Sequence, residues 1–104
     1  MTLGEVLAES ARELDGAETH DAAGGTEWRV RGRPFAAVSG ATADFALDPI
    51  VARAALGTPD TAPSSRGGEW VSLSARDVDQ LVVDRAVAWF GSAYRRAAGD
   101  QRRT

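Results

Sequence analysis

The chain has no cysteine and no lysine, and only one histidine and one methionine. Without cysteine there are no disulfides, thiolate metal sites or cysteine nucleophiles. One histidine cannot build a multi-histidine metal centre, and only carboxylates remain as partners for it. No structural metal and no cofactor is therefore expected. The G-x-S-x-G elbow, the Walker loop, G-x-G-x-x-G after a strand and H-E-x-x-H are all missing. No apolar run approaches the ~20 residues of a membrane helix. The opening MTLGEVLAES has neither the basic start nor the apolar stretch of a signal peptide. A cytoplasmic protein without a membrane segment is the expectation.

Large side chains are also scarce: three Trp, three Phe and one Tyr in 104 residues. The core must be small, and each aromatic weighs heavily in it. Such a length accommodates one domain and not two. All twelve basic residues are arginine. A lysine-free, alanine-rich composition is that of a high-GC bacterial genome. The net charge of -3 opposes strong non-specific DNA binding, which rests on neutralised phosphates. A local basic face remains compatible with it.

Periodicity supplies the elements. Leu3, Val6, Leu7, Ala11 and Leu14 recur at helical spacing, so a helix is predicted over Thr2–Asp15, with Thr2 and Glu5 as a capping box and Gly16 as its stop. A short edge strand is expected near Glu18–His20. TEWRVRGRPFAAVSG reads as a β-hairpin that turns at Arg31-Gly32, with Trp28 and Val30 on one face and Glu27, Arg29 and Arg31 on the other. Pro34 belongs at the start or edge of the second strand. Thr42–Leu47 alternates again, setting Ala43, Phe45 and Leu47 against Asp44 and Ala46.

Asp48-Pro49 opens a second helix, with Ile50, Val51, Ala54 and Ala55 as its apolar side and Gly57 and Pro59 as its end. EWVSLS follows as a strand, with Val71 and Leu73 opposite Trp70 and Ser72. A last helix is predicted from Ala75 to about Ala98, capped by Ser74 and Asp77. Its wide apolar face runs through Val78, Val82, Val83, Ala86, Val87, Trp89, Phe90, Ala93, Tyr94 and Ala97. The predicted order is α-β-β-β-α-β-α. That is an α+β fold with a small antiparallel sheet and helices packed on one face. Residues 1–98 form its single domain and 99–104 a frayed tail.

Four places carry polar chemistry. Arg29, Arg31 and Arg33 cluster in the hairpin, where guanidiniums can grip a carboxylate or phosphate bidentately; a solvated face paired with Glu27 is the plain alternative. Arg85, Ser92 and Arg96 line the flank of the last helix beside Trp89, as a pocket rim or as the boundary of an amphipathic helix. In the long connection TPDTAPSSRGGEW, Ser64, Ser65 and Arg66 with Gly67 and Gly68 can form an anion-binding nest of backbone amides, or simply join two elements. Trp70 closes that stretch. His20, between Glu18 and Asp21, is the one side chain of a type that titrates near neutrality; a polar surface turn accounts for it equally.

GGTEWRVRGRPFAAVSG, followed by FALDPIVARAAL, a polar loop, Trp70-Val71 and DVDQLVVDRAVAWFGSAYRRA, resembles the small "luciferase-domain" family over about Leu14–Arg96. Members of that family tend to carry histidines after the hairpin and in the polar loop. This chain reads VSGATADF and PSSRGG there, so a histidine-dependent role has no residues to carry it. WRVRGRPFA with the same helix, loop, W-V strand and helix also resembles the MmcQ/YjbR-like proteins. That resemblance implies a double-wing, CyaY-like α+β fold and, by fold analogy, DNA binding.

Three functions follow as expectations. The first is a binding domain for a small anionic molecule or a protein partner, using Arg29, Arg31, Arg33, Ser64, Ser65, Arg66, Trp70, Arg85 and Trp89. The second is a DNA-binding wing, which the net charge disfavours. The third is a small enzyme drawing on His20, Asp44 or an arginine in a mostly apolar pocket. No catalytic residue is assigned, and the oligomeric state stays open.

Overall fold

A computed structural model describes residues 2–22 and 24–100. Its elements are α1 (Leu3–Ala11), β1 (Ala17–Ala22), β2 (Gly25–Val30), β3 (Arg33–Ser39), β4 (Thr42–Ala46), α2 (Pro49–Leu56), β5 (Thr61–Pro63), β6 (Trp70–Ser74) and α3 (Gln80–Asp100). The six strands form one sheet in the order β1-β2-β3-β4-β6-β5. Every neighbouring pair is antiparallel. The three helices cover one face, so the α+β architecture read from periodicity is the one observed.

One core explains that layering. Trp28, Phe45, Val71 and Leu73 point to the helix side, as the alternation requires, and are almost wholly buried. From α3, Val82, Ala86, Phe90, Ala93 and Ala97 face them. Phe90 meets Trp28 edge-on, with ring centroids 5.2 Å apart and planes at 88°. It also meets Phe35 at 5.2 Å. The contact with Phe35 depends on a break in the β2–β3 register. Trp28 pairs with Ala36 but Arg29 pairs with Pro34. Phe35 is the extra residue of this bulge, and it turns inward alongside Ala36, both at 0% exposure.

Two positions in the first strands obey simple backbone rules. Arg31 and Gly32 both have positive φ, 53° and 79°, as a type I′ hairpin turn demands. Gly25 is small for another reason. A Cβ there would lie 2.1 Å from the Val38 carbonyl oxygen, so any side chain forces β2 and β3 apart.

Several boundaries differ from the sequence reading. α1 ends at Ala11, and residues 12–16 turn into β1. α2 buries Ala52 and Ala55, while Ile50 stands 84% exposed and Ala54 is also exposed. The sheet needs only one narrow stripe of this short helix. Asp48 makes no side-chain cap; it pairs instead with Arg96 Nε at 3.2 Å. α3 begins five residues later than predicted. Ser74 Oγ lies 2.9 Å from Thr42 Oγ1 across the sheet, so its hydroxyl is engaged away from any cap. Asp79 Oδ1 caps the helix by accepting from the Val82 amide at 2.9 Å. Val87 is 41% exposed, so the apolar face of α3 is narrower than its sequence. The helix continues through residues 99 and 100 of the expected tail; residues 101–104 lie outside the described residues. The connection after α2 also holds a strand, β5, which sequence alone did not reveal.

Two outcomes check this packing by urea unfolding. Gly25→Ala is expected to lose ~2–3 kcal/mol through the clash with Val38. Asp79→Ala is expected to lose about 1 kcal/mol of helix capping, while Asp77→Ala changes stability by less than about 0.5 kcal/mol.

Candidate functional site

The helix layer leaves the other face of the sheet bare. By the period of two, Glu27, Arg29, Ala37, Asp44, Trp70 and Ser72 all project there. Their registers place them together: Glu27 lies opposite Ala37, Ala37 opposite Asp44, and Asp44 opposite Ser72. Ala37 is the small residue between two carboxylates. Its methyl group leaves room where a larger side chain would fill the face.

The connection between β5 and β6 folds back over this face. Its backbone is tied to itself: the Ser64 amide donates to the Trp70 carbonyl, Gly67 to Ser64 and Trp70 to Gly67. The Ser64 hydroxyl is turned in and accepts from the Arg66 amide at 3.1 Å. Of the expected nest of backbone donors, the Ser64, Arg66 and Gly67 amides are thereby engaged within the loop. The loop offers the Arg66 side chain. The Arg66 guanidinium lies 4.9 Å over the Trp70 ring. Its Nη1 donates to Glu27 Oε2 at 2.9 Å.

Glu27 is held from two sides, since Arg29 Nε donates to its Oε1 at 2.6 Å. Partial desolvation at the sheet face pushes the Glu27 carboxyl up. The hydrogen bonds and charges of Arg66 and Arg29 push it down and prevail, so it ionises below the usual glutamate range. Asp44 takes a hydrogen bond on Oδ1 from the Ser72 hydroxyl. Its Oδ2 stands 3.9 Å from Arg66 Nε, too long for a hydrogen bond. A cavity of about 490 Å³ opens over these groups, lined among others by His20, Glu27, Arg29, Ala37, Asp44 and Arg66. The volume is in the range of small-molecule sites. His20 Nε2 is 3.5 Å from Glu18 Oε1 at the edge of the face.

The structure thus joins Arg29, Ser64, Arg66 and Trp70. Arg31 sits apart at the exposed hairpin turn, and Arg33 follows it at the start of β3. Ser65 is exposed on the loop. Arg85 and Trp89 belong to the covered face. Trp89 packs against Phe45, with ring centroids 6.0 Å apart. Arg85 Nη1 donates to the Pro59 carbonyl at 2.6 Å and to Thr58 Oγ1 at 3.1 Å, holding α3 to the end of α2. A second depression of about 660 Å³ lies beside it, lined by Pro59, Asp60, Arg76, Asp77 and Leu81 among others. Of its two guanidiniums, Arg85 is engaged in this tie and Arg76 lies on the exposed connection before α3. Arg96 bridges Asp48 and Glu69.

Sequence reasoning named Glu27 only as a neighbour of the hairpin arginines, and it missed Ser72 and Ala37. Their outward positions were readable from alternation. What was missing was the strand order that sets β4 between β3 and β6. Among the described residues no group of three His, Cys, Asp or Glu is placed to hold a metal ion, and no helix is long and apolar enough to cross a membrane. No protein-family model and no curated protein sequence matches the chain.

The Glu27 pairs carry a pH signature. Folding lowers the pKa of Glu27, so their stabilisation is complete above the unfolded value of about 4.3 and is lost as pH falls through the lower folded value. Glu27→Gln should be less stable than the parent at pH 7. The difference should shrink as pH falls from about 5 to about 3, measured as urea midpoints at each pH.

Proposed function

We propose that this protein is a binding domain whose open sheet face holds a small anionic molecule, gripped by Arg29 and Arg66. One observation carries the reading. Residues 39 positions apart, Arg66 of the loop and Glu27 of the hairpin, meet over a cavity, and Arg29 meets the same carboxylate. Glu27 and the Trp70 ring hold the two guanidiniums in place before any ligand arrives, which lowers the ordering cost of binding. Each guanidinium has five N–H donors, and the Glu27 bonds use one from each. The remainder are available to a carboxylate or phosphate.

The DNA-binding alternative draws on the same hairpin, whose exposed tip carries Arg31. Acids are interleaved with the arginines throughout: Glu27 with Arg29 and Arg66, Asp48 and Glu69 with Arg96. That pattern favours a compact ligand over a run of phosphates. Kinship with the "luciferase-domain" or MmcQ/YjbR-like families belongs to the same proposal. It is supported by the shared order of hairpin, helix, polar loop, W-V strand and closing helix.

Titration with small carboxylates and phosphates, followed by amide shifts in NMR, tests the reading. Shifts are expected at residues 27–29 and 64–68, and Arg66→Ala should weaken binding about tenfold or more. If those amides stay unmoved through the whole series, the proposal fails.

A further inference from the structure

We infer that the ligand of the open face is a zwitterion, with an ammonium beside its carboxylate as in an α-amino acid. The inference rests on the binding reading above and names its ligand class.

The lining of the cavity sets the charge. Glu27 and Asp44 bring two carboxylates to this face, and Arg29 and Arg66 bring two guanidiniums. Asp21 pairs with Thr26, whose neighbour Val38 is buried on the helix side, so its carboxylate is turned off this face. The site is therefore balanced before a ligand arrives. A plain anion leaves it with a net negative charge, and a doubly charged phosphate with a larger one. A ligand that brings its own cation leaves it balanced.

The donors and acceptors are divided in the same way. Each oxygen of Glu27 already accepts from a guanidinium, so both are neutralised by full ion pairs. Asp44 differs. Its Oδ1 is engaged by Ser72, and its Oδ2 has Arg66 Nε only at 3.9 Å. A carboxylate has about four acceptor positions, so Asp44 keeps acceptor capacity toward the cavity. Arg66, stacked on Trp70, keeps N–H donors beside it. An acceptor for an ammonium and a donor for a carboxylate therefore stand next to each other. An α-amino acid carries those two groups one carbon apart. Its carboxylate would take the free N–H groups of Arg66 and Arg29, and its ammonium would take Asp44 Oδ2. The rest of the cavity is edged by His20, Ser39, Gly24 and Gly25, which leaves a small polar side chain as the best fit.

The experiment compares matched ligands on the intact protein by amide shifts in NMR. The twenty standard L-amino acids are titrated. Each one that binds is compared with its N-acetylated form and with the acid that lacks the amino group. The amino acid is expected to bind, with both comparison compounds about fivefold or more weaker. Asp44→Asn keeps the acceptor for Ser72 and should erase that preference, with the plain acid binding as well as before or better once the Asp44 charge is gone. If the acid and the N-acetyl form bind as well as the amino acid, the zwitterion inference is overturned and the anion site stands. If plain acids shift residues 27–29 and 64–68 and no amino acid does, the inference is likewise overturned. If nothing in either series shifts those amides, the binding reading falls and the inference with it. The comparison of ligands on the parent protein decides the matter even where Asp44→Asn does not fold.

Discussion

The structure depends on a single stacking arrangement, Phe90 of α3 pressed between Trp28 and Phe35 of the sheet. A chain with so few large side chains can build one such core and no second one. All three helices are drawn to the side where those rings sit. The opposite face is then left without a helix, and its residues must find partners among themselves or in solvent. The candidate site is a consequence of that economy. It occupies the face that the core could not cover.

The bulge in β3 links the two faces. By turning Phe35 inward beside Ala36 it supplies the second ring against Phe90. It also shifts the register so that Arg29 lies opposite Pro34 rather than continuing the regular ladder. Beyond the bulge the alternation resumes, and Ala37 takes the outward position between Glu27 and Asp44. A core requirement on one side thus leaves a small residue, and hence room, on the other.

Electrostatics on the open face follows the same logic. Glu27 on a half-covered sheet would resist ionisation if it stood alone. Two guanidiniums, one from its own strand and one from a distant loop, reverse that tendency. The loop gains a fixed conformation in return, because Arg66 is held at three points: its amide on Ser64, its guanidinium on Glu27 and its plane on Trp70. TPDTAPSSRGGEW is therefore an ordered arm that delivers one side chain to the sheet, and the short strand β5 anchors its base.

The amino-acid sequence by itself determined the fold class, the hairpin turn at Arg31-Gly32 and the inward or outward sense of the residues in β2, β4 and β6. Those features are local: they rest on period, turn chemistry and propensity, which act over a few neighbours. The capped start of α1 was legible for the same reason. The tertiary structure alone decided that Glu27, Asp44, Ser72 and Arg66 share one site. Strand order and loop closure bring together residues up to 39 positions apart, and no local pattern encodes that. It also moved the start of α3 to Gln80, because the Ser74 hydroxyl pairs with Thr42 across the sheet and the cap passes to Asp79. And it set Trp89 against Phe45 and tied Arg85 to the end of α2, since only the assembled layers show which flank of a helix meets the protein and which meets water.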